Sequence, residues 1–308
     1  MLGTLRLVRP QLAENTTRMR NALLRWYRAT ARSFPWRTEV PDPYVVLVSE
    51  CMLQQTQAKR IAERLPEFLT LFPTIQHLAA AGNADIIRAW HGLGYNSRAL
   101  RLRDAARTVV DVFGGRVPST VEELERLPGI GPYTASAVAC FGYGIRTVVL
   151  DVNVRRVYSR LLFRQNTTSG VLPDSELQAF ANTIIPVKEP ALWHHAIMDL
   201  GATLCNARSP LCLQCPLHTY CPSKGAMVYV PREKKSEPMF RGEPNRIWRG
   251  RMVSMLRQQP TFDSEEELFR AVTRTSFATQ CEREWMHAVV TALRKDKVVD
   301  KNDLRLAD

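Results

Sequence analysis

Four cysteines stand close together in the second half of the chain: Cys205, Cys212, Cys215 and Cys221, with six, two and five residues between them. Four thiols on one short loop are too crowded for a disulfide framework, and they suit a metal centre. The run Cys212-Leu213-Gln214-Cys215-Pro216 puts two sulfurs on one tight turn. Four-cysteine sets hold zinc or an iron–sulfur cluster, and generic spacing leaves both open. Cys51, Cys140 and Cys281 are scattered and read as reduced core residues.

A second group is Leu127-Pro128-Gly129-Ile130-Gly131-Pro132-Tyr133-Thr134, between two helical stretches. Gly129 and Gly131 permit backbone conformations closed to other residues. Pro132 suits the first turn of the next helix. Backbone N–H groups at such a helix start bind an anion well. The segment reads as a helix-hairpin-helix that grips one DNA phosphate without reading sequence, or more plainly as a tight turn. Twenty residues beyond Gly131, the apolar run Val148-Val149-Leu150 leads into Asp151, which opens a helix and makes a good N-cap.

The six-two-five cysteine order, this hairpin and the aspartate behind it resemble the endonuclease III-like (HhH-GPD) DNA glycosylase superfamily over residues 18–223. The resemblance implies an all-α, two-lobed helix-hairpin-helix fold and a [4Fe–4S] cluster on Cys205, Cys212, Cys215 and Cys221. It also implies that double-stranded DNA is kinked across a cleft, with Glu50 and Asp151 facing each other from the two lobes. Asp151 then carries the chemistry. Losing a base builds positive charge on the deoxyribose, and a carboxylate beside C1′ stabilises it. Asn153 orients that carboxylate or a water. Members with lyase activity carry a lysine two residues after the second hairpin glycine. Tyr133 stands there instead, which implies a monofunctional enzyme that leaves an abasic site.

Val48-Ser49-Glu50-Cys51-Met52-Leu53-Gln54-Gln55-Thr56-Gln57 resembles the adenine-excising, MutY-type branch. In that branch the residue matching Glu50 protonates adenine at N7. Glu50 lies in an apolar stretch where desolvation raises an acid's pKa, as this role requires. The plainer alternative is a core-edge glutamate paired to an arginine. By the same resemblance Gln54 and Gln55 meet the duplex near the orphan base, Tyr95 wedges into the stack, and Trp36 and Arg37 line the base pocket. Two departures point toward a thymine- or uracil-excising mismatch enzyme instead. Val152 follows Asp151 where the adenine branch usually has glycine, and the tail is too short and too helical for the branch's Nudix-like domain. A reading of another class, a non-catalytic sensor of damage or redox state, has no need of Glu50, Tyr133 and Asp151 together.

These groups must be positioned by helices. Apolar residues at helical spacing predict helices over 43–56, 58–71, 74–80, 83–89, 96–112, 120–126, 132–142, 151–163, 174–185 and 189–202. Residues 1–15 read as a flexible leader, 16–225 as the glycosylase domain and 226–245 as a linker. Residues 246–308 read as a small winged-helix-like module: helices over 246–256, 263–273 (N-capped by Asp263) and 281–294, then a hairpin of 297–300 with 304–306. This tail is expected to meet DNA through Arg246, Arg249 and Arg251 around Trp248, or to bind a repair protein.

The formal charge of +12 favours a polyanion partner. Arg155, Arg156, Arg208, Lys224 and the arginine-rich 98–107 helix are candidate phosphate contacts. No apolar run reaches the ~18–20 residues of a membrane span, and no secretory signal is seen. The expectation is an intracellular monomer, in the cytoplasm or nucleoid, or in the nucleus of a eukaryote.

Overall fold

The computed structural model of the chain describes residues 2–162, 172–225, 230, 236–259 and 261–307, with side chains from residue 15 onward. Helices dominate among the described residues. They are α1 (Leu2–Thr30), α2 (Pro43–Leu53), α3 (Ala58–Leu71), α4 (Ile75–Ala80), α5 (Asn83–Ala89), α6 (Ser97–Phe113), α7 (Val121–Glu125), α8 (Pro132–Tyr143), α9 (Val152–Leu162), α10 (Asp174–Ile184), α11 (Pro190–Thr203), α12 (Asn245–Gln258), α13 (Glu265–Thr273) and α14 (Gln280–Lys295). Strands β1 (Met239–Phe240) and β2 (Glu243–Pro244) pair antiparallel. No described helix is long and apolar enough to cross a membrane.

Contacts divide the chain into two compact units. One comprises Met1–Val46, Ser119–Leu124 and Gly131–Glu233; the other comprises Leu47–Pro118, Glu125–Ile130 and Lys234–Asp308. In the first unit α1, α9, α10 and α11 bury a shared core that includes Met19, Leu23, Val157, Leu177, Ile197 and Leu200. Inside it the buried Trp193 indole donates to the Tyr158 hydroxyl at 2.9 Å. The end of α10 leaves carbonyls without helical partners, and arginines supply the donors. Arg20 donates to Ile184, Thr183 and Ile185 oxygens, and Arg146 to Ile185 and Asn182 oxygens.

In the second unit α12, α13 and α14 do not stand apart. Met252, Leu256, Phe269, Met286 and Val290 share one core with Ala84, Ile87 and Leu100 of α5 and α6. Phe240 of β1 stacks on Trp285 with ring centroids 3.5 Å apart, and Phe269 packs against Phe277 at 4.3 Å. Val299 bridges Leu306 and Phe262 bridges Leu304, both antiparallel.

Several expectations need correction. The segment read as a leader is helical from Leu2. Helix α2 stops at Leu53 rather than Thr56, because Gln55 adopts a left-handed φ of 57° that ends helical propagation. Part of the expected linker lies outside the described residues. Its described end forms the β1–β2 hairpin, whose Arg241-Gly242 turn has positive φ at both positions, as two-residue hairpins favour. Ser264, not Asp263, caps α13, accepting from the Glu267 N–H, while Glu267 accepts from the Asp263 N–H at 2.7 Å. Cys281 is exposed, not core.

The aromatic side chain of Phe269 is fully buried between these layers. Replacing Phe269 by alanine is expected to cost about 3–5 kcal/mol in a urea titration.

Candidate functional site

Asp151 sits immediately before α9, and the helix start fixes its carboxylate. Oδ1 accepts from the Val154 N–H at 2.6 Å, and Oδ2 accepts from the Asn153 amide at 2.9 Å. Burial pushes the Asp151 carboxyl above its usual range, against the opposing pull of these hydrogen bonds and of Arg156. The residue therefore caps its helix and is also a desolvated carboxylate.

Behind it runs a polar chain. Asn153 Oδ1 accepts from Arg156 Nη2 at 2.7 Å, and the same nitrogen donates to Gly201 O at 2.6 Å. Arg156 Nε donates to Cys205 O at 2.8 Å, so the chain ends at the first cysteine of the loop. Helix α11 approaches closely because Gly201 has no side chain: a Cβ there would lie 2.7 Å from Asn153 Cβ. Arg155, meanwhile, pairs with Asp174 and donates to Leu150 O. Both arginines, read in the sequence as candidate phosphate contacts, are held by protein partners. Gly201 is not singled out in the sequence, and Arg156 reads there as a phosphate contact rather than as a partner of Asn153.

The four cysteines line one recess with Arg160, Leu204, Leu211 and His218. Arg160 Nη1 donates to Cys205 Sγ at 3.2 Å, and the buried Nε and Nη2 of Arg160 have no protein acceptor among the described residues. Burial pushes Cys215 up to about 12 and Cys221 up to about 11. The described side chains form no ligating group of three or more by geometry. The donor chemistry suits a soft, sulfur-bound group: four thiols line the recess, and the cationic Arg160 beside them has buried donors left for an anionic acceptor.

Trp36 is buried and stacks on Phe34 at 4.7 Å. The Arg37 guanidinium is committed to Asp199, with both contacts at 3.1 Å, and Arg32 binds the same carboxylate. Burial works to raise the Asp199 carboxyl, yet the two arginines hold it below the usual range. Tyr133 is half-buried in the first turn of α8. Gly131 precedes that helix with an ordinary φ of −95°, and nothing would crowd a Cβ there. Its expected special conformation is absent; its surface is open for close approach to the backbone.

In the second unit Glu50 is buried on α2, beside the buried Ser49 and Cys51. Gln55 is exposed. Gly129 has a left-handed φ of 77°, and a Cβ there would meet Arg101 at 2.8 Å. Cys51, Gln54, Arg98, Arg101 and Gly129 line one small recess. Arg98 organises this region. It donates to Cys51, Met52 and Gln54 oxygens at the end of α2, and to Leu93 and Gly94 oxygens. Tyr95 is 53% exposed, and the Arg98 guanidinium lies 5.6 Å from its ring centre. The 98–107 arginines are thus largely structural: Arg103 binds Asn83 and Asp104, and Arg107 binds Ala79 O. The tail arginines are also paired, Arg246 with Glu237, Arg249 with Asp296 and Arg251 with Glu243. Trp248 is buried.

A helical scaffold with a glycine hairpin, a half-buried carboxylate at a helix start and a recess lined by four cysteines defines a protein of the helix-hairpin-helix class. The sequence pattern described as HhH-GPD superfamily base excision DNA repair protein matches residues 48–179. An adenine DNA glycosylase of Mycobacterium tuberculosis is 40% identical over 241 residues, 76% of this chain and 77% of that protein. The human adenine DNA glycosylase is 39% identical over 213 residues, 67% of this chain but only 39% of that protein's length. A thymine-DNA glycosylase of Aeropyrum pernix is 32% identical over 208 residues, 66% of this chain and 92% of that protein. Among solved structures, a thermostable thymine-DNA glycosylase matches with a TM-score of 0.61 at 28% identity, covering 68% of this chain and 98% of that one. The chain belongs to the HhH-GPD superfamily of base excision DNA repair proteins.

Gly201→Ala is expected to push α11 from Asn153 and slow turnover by roughly a hundredfold in single-turnover assays. The elevated Asp151 pKa has a further consequence. A carboxyl raised in the folded state contributes stability below its unfolded pKa and loses that contribution as pH rises through the folded pKa. Asp151→Asn should therefore match or exceed the wild-type melting temperature at neutral pH. The gap should close as pH falls through the raised pKa.

Proposed function

We propose that the chain is a monofunctional DNA glycosylase that hydrolyses the N-glycosidic bond of adenine mispaired with 8-oxoguanine or G, leaving an abasic site. The observation that carries this reading is the desolvated Asp151 carboxylate, fixed by Val154 and Asn153, in a chain 40% identical to an adenine DNA glycosylase over three quarters of both.

The adenine nucleotide is flipped from the stack, with Tyr95 and Gln55 entering the gap it leaves and Gln54 nearby. The hairpin at Gly129 and Gly131 grips a backbone phosphate. Glu50 protonates the departing purine, and Asp151 stabilises the positive charge that builds on the sugar. Asn153 holds the carboxylate orientation through its 2.9 Å bond. Tyr133 packs near the sugar and supplies no amine, so no Schiff base forms. Trp36 and Arg37 line the base pocket, with Arg37 held by Asp199.

Cys205, Cys212, Cys215 and Cys221 would hold the [4Fe–4S] cluster, with Arg160 donating toward their sulfurs. When bound, the cluster supplies structural cross-linking of the loop and a redox-capable centre. Raised thiol pKa values mean that loading it releases protons. Residues 246–308 are read as a winged-helix-like module on three helices and the antiparallel bridges Phe262–Leu304 and Val299–Leu306.

One observation favours a second substrate. Val152, next to Asp151, is 73% exposed, and a larger side chain there would narrow a pocket toward thymine or uracil. Single-turnover excision on duplexes with A opposite 8-oxoguanine, A opposite G, T opposite G and U opposite G decides between them. Release of adenine is expected; release of only T or U would overturn the adenine assignment. Borohydride is expected to trap no covalent protein–DNA adduct. Because Asp151 acts ionised and burial raises its pKa, the acid limb of the rate profile should lie above the ordinary aspartate range. Asp151→Asn should cut the rate at least about a hundredfold.

A further inference from the structure

Arg257, in the last turn of α12, reaches back across the chain. Its Nε donates to Ile87 O at 3.1 Å, and its Nη2 donates to Asn96 Oδ1 at 3.0 Å. Ile87 lies near the end of α5, and Asn96 immediately precedes α6. The two contacts therefore bracket the loop that carries Tyr95. That loop is built from a pliable backbone: Gly92, Gly94 and Tyr95 have φ of 76°, 69° and 48°. Its inner side is held by Arg98, and by the Trp90 indole donating to Gly94 O at 3.2 Å. Its two ends are joined by a side chain from the C-terminal helices.

The surroundings support the same role. Both helices flanking the loop, through Ile87 and Leu100, are packed into the α12–α14 core. Burial and the nearby Arg64 push Arg257 down only to about 10, so it keeps its charge at neutral pH. A planar guanidinium with two donors in fixed directions can tie two points at once, which a lysine cannot do equally well. A side chain that pushes into stacked bases meets resistance, and a loop with two left-handed glycines yields unless its base is fixed.

We propose that Arg257 is a positioning residue for the Tyr95 loop, and that α12–α14 serve as its brace. This rests on the DNA glycosylase reading, in which Tyr95 enters the duplex. The C-terminal helices then act on DNA through the loop rather than through their own arginines.

The test compares wild type with Arg257→Met, which keeps the apolar stem and removes both donors. Single-turnover excision is measured on an intact mispaired duplex and on the same strand with the target adenine in a bulge, already unstacked. Arg257→Met is expected to slow the intact duplex by tenfold or more, on the order of what a small misplacement costs, and to leave the bulged substrate unchanged. Asn96→Ala should reproduce the effect, with the double variant no worse than either single one. Arg257→Lys should restore part of the rate. Equal rates for Arg257→Met and wild type on the intact duplex would overturn the brace, as would equal slowing on both substrates. A wild-type chain that excises nothing fails the glycosylase reading instead. The brace is then judged by fluorescence of 2-aminopurine beside the target on binding. A smaller rise for Arg257→Met supports it; no rise with wild type, or an equal rise for both, overturns it.

Discussion

A carbonyl oxygen at the end of a helix or in a tight loop has no neighbour in its own element to bond, and burying it unpaired is costly. This chain meets that constraint repeatedly with buried or half-buried guanidinium groups. Arg20 and Arg146 close the end of α10, Arg98 closes α2 and the Tyr95 loop, and Arg257 closes α5. Arg156 and Arg160 hold the Cys205 carbonyl. A guanidinium serves this purpose because it fans several donors across a plane and stays charged even when burial lowers its pKa. Glu50, Tyr95, Asp151 and Cys205 are carried on segments held in this way or immediately beside one.

The same constraint changes the meaning of the net charge. An excess of twelve positive charges reads in sequence as a phosphate-binding surface. Several of the arginines counted in it are already engaged by protein groups. Arg103, Arg107, Arg156 and Arg257 are taken by carbonyls and amides, and Arg246, Arg249 and Arg251 by carboxylates. Charge counting sees the number of arginines but not the carbonyls they answer, because those carbonyls come from residues far away in sequence.

Helices were legible wherever local pattern alone decides them. The apolar spacing over 58–71 and 83–89 matches α3 and α5 at both ends, because turn residues bound each stretch. What was not legible depends on tertiary partners or on single backbone angles. The left-handed Gln55 ends α2 early, and no local rule marks a glutamine for that conformation. The tail looked like a separate module because composition changes near residue 226. Its core, however, includes Ile87 and Leu100, which no local pattern could reveal. In the proposed site, type and spacing are what single out the cysteines, Asp151 and the hairpin. The links behind them, Gly201 against Asn153 and Arg156 to Cys205, are not legible in that way, because each joins residues more than forty positions apart.

Asp151 shows why these links matter. As an N-cap alone it would gain nothing from burial, since an exposed aspartate accepts the Val154 N–H equally well. Burial raises its pKa, so holding it ionised at neutral pH opposes folding. A carboxylate that must stabilise a developing cation gains from that burial, because a desolvated charge interacts more strongly with the sugar than a hydrated one. The hydrogen bonds from Val154 and Asn153 offset part of the penalty and fix the direction of the charge. Asn153 is in turn held by Arg156 and by the close approach of Gly201, so the orientation of the carboxylate depends on α11 and the cysteine loop staying in place. A metal centre on those cysteines would then affect catalysis without touching substrate, by keeping the last link of that chain rigid.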